Sequence, residues 1–190
     1  MIRDLILKNR SYRRFDESVK VPVNELKSWI ELARFSASGR NMQPLKYVIC
    51  TDELINKQIF KQLGWAGYLT NWTGPEEGER PAAYVVVLHD NSLSDNHFCD
   101  DGIAVQSILL GAVEDGFGGC IIGSVNKGKV AKLLRLPEHL EILWVIALGK
   151  PAEQSKIETT VDNNIKYWRD ENGVHHVPKR PLEELIVKTL

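Results

Sequence analysis

Residues 9–15, NRSYRRF, place three arginines within five positions. Arg10, Arg13 and Arg14 surround Ser11 and Tyr12, and Phe15 follows. An arginine fork binds paired oxygens of a phosphate or carboxylate, and a serine adds a hydroxyl donor. In an extended segment Ser11, Arg13 and Phe15 share one side; in a helix Arg10, Arg13 and Arg14 share a face. The chemistry offered is a clamp on a small anion. The alternative is a solvated basic turn, salt-bridged to Asp16 and Glu17. A second cluster is SASGRNMQP, residues 36–44. Its small residues let backbone amides approach a ligand, and Asn41 and Gln43 each donate and accept. That suits the edge of a heteroaromatic ring, although a plain helix end at Gly39 explains the same residues. A third, PKRP at 178–181, offers Lys179 and Arg180 to a phosphate or forms an ordinary basic tail.

Other chemistry is missing. No GxGxxG opens a βα unit, and in GGCIIGS (118–124) Ser124 stands where a phosphate loop needs lysine. No GxSxG marks a nucleophile elbow. The histidines at 89, 97, 139, 175 and 176 lack metal-ligand spacing, and neighbours such as His175 and His176 point to opposite faces of a strand. The pair Asp100-Asp101 reads as a helix N-cap rather than as an acid–base pair. We expect no metal and no catalytic side chain; a bound cofactor would carry the chemistry.

The elements that must position these clusters follow from periodicity. Residues 2–9 place Ile2, Leu5, Ile6 and Asn9 at helical spacing. Pro22 and Asn24 announce a helix with the stripe Leu26, Trp29, Ile30 and Ala33. LKYVIC, AAYVVVLHD (82–90), GFGGCIIGS and HLEILWVIALGKP read as strands, the second of them central. TDELINKQIFKQL reads as a helix capped by Asp52, with Ile55, Ile59 and Leu63 inward. DDGIAVQSILLGAVEDG and NKGKVAKLLRL read as two more. The first of these carries the small-residue stripe Ala104, Ser107, Ile108, Gly111 and Ala112, which suits close packing at a dimer seam or within one chain. NNIKYWRDENGVHHV reads as a hairpin around Glu171, Asn172 and Gly173. Segment 64–81, with Trp65, Tyr68 and Trp72, lacks a period and is long for an internal loop. The expectation is one α+β domain over 1–190, in three layers around one sheet.

A net charge of -1 gives no general field for nucleic acid or an anionic membrane, so the 10–14 cluster is local. Three cysteines without a CxxC pair argue against a disulfide framework and for a reducing, cytoplasmic setting. Arg3, Asp4 and Lys8 interrupt the first apolar residues, so no signal peptide or membrane span is expected.

In order along the chain, RSYRRF, ASGRNMQP, the 100–124 helix–turn–strand, ILWVIALGKP and PKRPLEEL resemble the motifs of the nitroreductase family of FMN-dependent oxidoreductases. No one motif is specific; five in sequence are. The resemblance implies a three-layer α/β/α fold with a central, mostly antiparallel sheet and an intertwined homodimer with FMN at the interface. It implies that Arg10 and Ser11 hold the FMN phosphate and that Arg13 reaches the ribityl chain and pyrimidine edge. Ala37, Ser38, Gly39 and Asn41, with Gln43 behind, would approach the ring from the partner subunit. The backbone of Ile121, Ile122 and Gly123 would line its other side, and Arg180 with Lys179 would close on the phosphate. The implied reaction takes hydride from NAD(P)H and passes electrons to an electron-poor acceptor such as a nitroaromatic or quinone. A fixed arginine beside the N1–C2=O edge favours the reduced, anionic flavin. Dehalogenation, ring oxidation, flavin breakdown and flavin sensing without turnover are the rival readings. The sequence departs from the family at Arg40 and Met42 and in the short 64–81 excursion.

Overall fold

The computed structural model describes residues 1–190. In chain order it contains α1 (Ile2–Lys8), β1 (Phe15–Asp16), α2 (Val23–Phe35), a 3₁₀ turn (Gly39–Asn41), β2 (Leu45–Cys50) and α3 (Glu53–Phe60). Then come β3 (Ala83–Asp90), α4 (Asp100–Glu114), β4 (Gly118–Ile122), α5 (Lys127–Leu133) and β5 (Leu140–Pro151). Last are β6 (Ser155–Thr159), β7 (Trp168–Arg169), β8 (His175–Lys179) and α6 (Leu182–Leu185).

Strand β3 is buried along its whole length, as its β-branched run requires. It pairs antiparallel with β2 on one side and with β5 on the other. The far edge of β5 takes β4 antiparallel, and β1 pairs with its last two residues. The register of β3 on β5 slips between Val87 and Leu88, where Trp144 and Ile142 are the partners, so Leu143 forms a bulge. Away from this bulge the two faces of the sheet alternate along the strands. Val85, Val87, Ile146 and Leu148 face α2 and α4, whereas Val86, Leu88, Val145 and Ala147 lie in the second core with Ile59 of α3 and Val130 of α5. The three-layer α+β architecture expected from periodicity is therefore present. Asp52 caps α3 by accepting from the Ile55 amide, as its sequence suggests.

The small stripe of α4 packs within the chain. A Cβ on Gly111 would lie 2.7 Å from Leu32 and 3.0 Å from Trp29, and Ser107 Oγ sits 2.7 Å from Ser36 Oγ. The close approach is thus α2 on α4, the intra-chain packing that was one of the two expected readings. Strand β8 pairs antiparallel with β7 in the expected hairpin and, in addition, parallel with β6. No helix is long and apolar enough to cross a membrane.

Gly119 in β4 shows how tightly the edge beneath residues 9–14 is built. A Cβ there would sit 2.5 Å from the Ala147 carbonyl oxygen and 2.8 Å from Leu109. The oxygen belongs to the β5 backbone and cannot swing away. Gly119→Ala is expected to cost about 2 kcal/mol and lower the melting temperature by about 6 °C, measured calorimetrically.

Candidate functional site

Helix α1 stops at Asn9, whose backbone turns extended (φ -72°, ψ 96°). The following segment runs along the glycines of β4. Ser11 bridges to Gly119, and the Tyr12 amide donates to the Gly119 carbonyl at 3.1 Å. Gly118 makes room for this, since a Cβ there would meet the Tyr12 ring at 2.6 Å. Glu153 then locks the backbone. One of its oxygens accepts from the Arg13 amide at 2.5 Å and from the Arg14 amide at 3.2 Å; the other accepts from Arg169 at 2.8 Å. Its side chain is only 2% exposed, so it is a fixed brace.

This brace directs the arginines differently. Arg14 forms a two-point pair with Glu79, which holds the Glu79 carboxyl below its ordinary range; it does not pair with Asp16 or Glu17. Arg10, Ser11, Arg13, Tyr167, His175 and Lys179 line one cleft of about 200 Å³. No carboxylate lines it. Arg10 donates to the Ile6 carbonyl at 2.8 Å, while its buried Nε has no partner. Burial lowers its guanidinium pKa from the ordinary value. Arg13 donates to the Ser11 carbonyl at 3.2 Å, lies 3.1 Å from His175 Nε2, and stacks 4.8 Å from the Tyr167 ring centre. Burial, and then the Arg13 charge, push the His175 pKa down to about 4. Of the basic pair, Lys179 lines the cleft, whereas Arg180 is engaged with Asn163 at 2.7 Å and Glu184 at 2.9 Å. Three cations, a hydroxyl and an unpaired buried Nε without a counter-carboxylate suit a phosphate dianion.

The second cluster lies elsewhere in the chain. Ala37, Ser38 and Gln43 line a cleft of about 220 Å³ that shares no residue with the arginine cleft. Its turn is held by Asp100. This carboxylate, 3% exposed, accepts from Ser38 Oγ at 2.5 Å and from the Gly39 amide at 2.7 Å. Ser38 Oγ in turn accepts from the Gln43 amide at 2.9 Å. The expected capping role of Asp100 or Asp101 does not hold. Cys99 occupies the N-cap without a side-chain bond, and Asp101 accepts from Trp144 Nε1 at 2.6 Å. Arg40, Asn41 and Gln43 adopt φ of 53°, 56° and 51°, the left-handed region that side chains rarely occupy. A Cβ on Gly39 would meet the Phe98 ring at 2.5 Å, and Arg40 lies over that ring. Ser94 Oγ donates to Met42 Sδ at 3.5 Å. The two residues that depart from the family are thus packed by the 94–98 loop.

Ile121, Ile122 and Gly123 continue the strand whose first glycines carry Ser11 and Tyr12. Ile121 is exposed, Ile122 is buried, and a Cβ on Gly123 would meet Trp144 at 2.8 Å. Sequence reasoning overlooked Glu153, Tyr167, His175 and the anchoring role of Asp100. The HH pair was the available signal. As strand geometry demands, His175 faces Arg13 while His176 faces Glu158 and Asp170 at 2.8 and 3.1 Å. Of the aromatics of 64–81, Tyr68 stays exposed yet packs 4.9 Å from Tyr167, and the half-buried Trp72 lies beneath Arg169 at 4.5 Å.

The His176 arrangement sets a pH window for the hairpin. Its two carboxylate bonds raise its pKa, so its contribution is complete below the ordinary value of 6.5 and is lost as pH rises through the raised one. Asp170 and Glu158 are depressed, chiefly by the same bonds; their contribution is lost as pH falls below their ordinary 3.8 and 4.5. Amide exchange in β7 and β8 should therefore be slowest between these limits and should accelerate on the alkaline side. A flat profile from pH 5 to 8, after correction for intrinsic exchange, would contradict this.

The Nitroreductase family profile matches residues 6–150. An iodotyrosine deiodinase of Thermotoga neapolitana is 25% identical over 166 residues, 80% of this chain and 89% of that protein. An iodotyrosine deiodinase solved with FMN and 3-iodo-L-tyrosine superposes with a TM-score of 0.68 at 23% identity, covering 86% of this chain and 99% of the other. The NADPH:FMN oxidoreductase of Vibrio harveyi, solved with NAD+, gives 0.65 at 22% identity over 96% and 80%. With the family profile spanning the first arginine segment, the 36–44 turn and all of the central sheet but its last residue, this chain belongs to the nitroreductase family.

Proposed function

We propose that this chain is an FMN-dependent NAD(P)H oxidoreductase that works as a homodimer in the cytoplasm. The observation that carries this reading is the cleft with three cations and no carboxylate, built on a nitroreductase fold. FMN bound there would supply the redox chemistry, taking hydride from NAD(P)H and delivering electrons to a small electron-poor acceptor such as a nitroaromatic or quinone. Arg10, Ser11 and Lys179 would hold the phosphate. Arg13 would place its charge at the flavin's N1–C2=O edge, where negative charge develops. Arg180 would join the phosphate only by leaving Glu184. Ile121 to Gly123 would line one side of the ring, and Ala37 to Gln43 of the partner subunit the other.

Dimerisation is supported by two features. The two clefts share no lining residue within one chain, which fits a site completed by a second chain. Apolar side chains also stand exposed on α1 (Ile2, Ile6), at the end of α2 (Phe35) and in the tail (Leu185, Ile186, Val187). The test is the visible spectrum of the purified protein, with its mass in solution. A yellow dimer bleached by NADH or NADPH without oxygen is expected. A colourless monomer that takes up no added FMN would overturn the reading. Reductive dehalogenation of a halogenated phenol is the second reading, favoured by the deiodinase relatives. Halide release under anaerobic reduction separates the two.

A further inference from the structure

We propose that His175 and Tyr167 are positioning residues for Arg13, orienting its charge from the C-terminal hairpin without neutralising it; this rests on the FMN reading above. An arginine only donates, so the 3.1 Å contact requires His175 Nε2 to accept. The ring proton then sits on Nδ1, which is buried and has no partner. His175 is 1% exposed, and its neighbour Tyr167 packs 5.2 Å from it while stacking on Arg13. Tyr68 of the 64–81 segment backs Tyr167, and the Tyr68 amide meets the Tyr167 hydroxyl at 3.4 Å.

The choice of residue types has a physical consequence. A carboxylate in the place of His175 would orient Arg13 equally well but would cancel its charge before any anion arrived. A neutral imidazole and an aromatic face both hold a guanidinium while leaving its charge available. The nearby carboxylate, Glu153, is already occupied by two backbone amides and Arg169. The charged groups acting on His175 are Arg13 from the first segment, Glu153 after β5, Arg169 from β7 and His176 from β8. Lys179 of β8 and Arg10 line the same cleft. Burial first, and then the predominance of cations among these groups, keeps the imidazole neutral and able to accept.

The test uses the full chain and two kinds of readout. In the ligand-free protein, nitrogen-15 spectra should show His175 as the Nδ1–H tautomer, protonating only well below the ordinary histidine range; Arg13→Ala should raise that midpoint. An Nε2–H tautomer, or a midpoint unmoved by Arg13→Ala, overturns the contact whether or not flavin binds. FMN and, separately, inorganic phosphate are then titrated. His175→Phe, which keeps the ring volume but removes the acceptor, should weaken FMN about tenfold. His175→Gln, whose amide oxygen can accept in place of Nε2, should stay within about threefold. Equal affinities for wild type and His175→Phe overturn the role, and so does a loss that glutamine fails to rescue when both variants melt like wild type. Wild type that binds neither FMN nor phosphate overturns the oxidoreductase reading and this role together, while the tautomer still decides the geometry.

Discussion

Arg13→Ala is expected to weaken FMN binding about a hundredfold, equivalent to about 2.7 kcal/mol, while Arg14→Ala leaves it within about threefold. The family resemblance assigns Arg13 to the flavin edge and leaves Arg14 without a role, but composition alone offers no physical reason for the difference. The structure supplies it. Glu153 fixes both amides, and the chain direction then sends Arg13 into the cleft with Ser11, Tyr167 and His175. Arg14 goes to the opposite neighbourhood and closes on Glu79, whose carbonyl also accepts from the Phe15 amide. Removing Arg14 therefore loosens the join between the first segment and residues 78–79. About 1 kcal/mol of stability is expected to go with it, since the pair is about a third exposed and largely screened. Flavin titration and calorimetry on the two variants separate binding from stability. Equal losses of affinity would remove the assigned division between the arginines.

Asp100→Ala is expected to release the 38–43 turn, costing about 2 kcal/mol locally and accelerating amide exchange at Gly39 and Gln43 about thirtyfold. Three residues of this turn, Arg40, Asn41 and Gln43, hold left-handed backbone that costs on the order of 1 kcal/mol each. What offsets that cost is the buried carboxylate bonding Ser38 and Gly39, relayed through Ser38 Oγ to Gln43. Without it the chain relaxes to an ordinary conformation. Asp100→Asn should retain part of the effect, because one acceptor oxygen remains. If exchange at Gly39 and Gln43 stays at the wild-type rate in Asp100→Ala, Asp100 is not the anchor. In the proposed dimer the same variant would lose flavin from the partner's site as well.

The sheet and its flanking helices were legible because their patterns are local. β3 announces itself by a β-branched run, α3 by its Asp52 cap, and the hairpin by Asn172-Gly173. The arginine segment and the 36–44 turn were legible as motifs in order. What was misread was contact partners. Asp100 looked like a cap because it opens a helix, yet the 36–43 loop folds over it and takes its oxygens. The α4 stripe, by contrast, had left a subunit seam and packing within the chain both open, and Trp29 and Leu32 of the same chain pack against it.

The sequence by itself determined the alternation that buries both faces of β3, the Asp52 cap of α3, and the supply of cations near residue 10. It also determined the family, through five ordered motifs. Only the tertiary structure decided what parts Arg13 from Arg14 and that Lys179 rather than Arg180 faces the cleft. It alone brought His175, Tyr167 and Glu153 against a segment about 140 to 160 residues away in sequence. The reason is physical. Periodicity and capping depend on neighbours within a few residues, and a sequence displays those directly. The direction of a guanidinium depends on which buried acceptor and which ring the folded chain places beside it, and no local pattern encodes that.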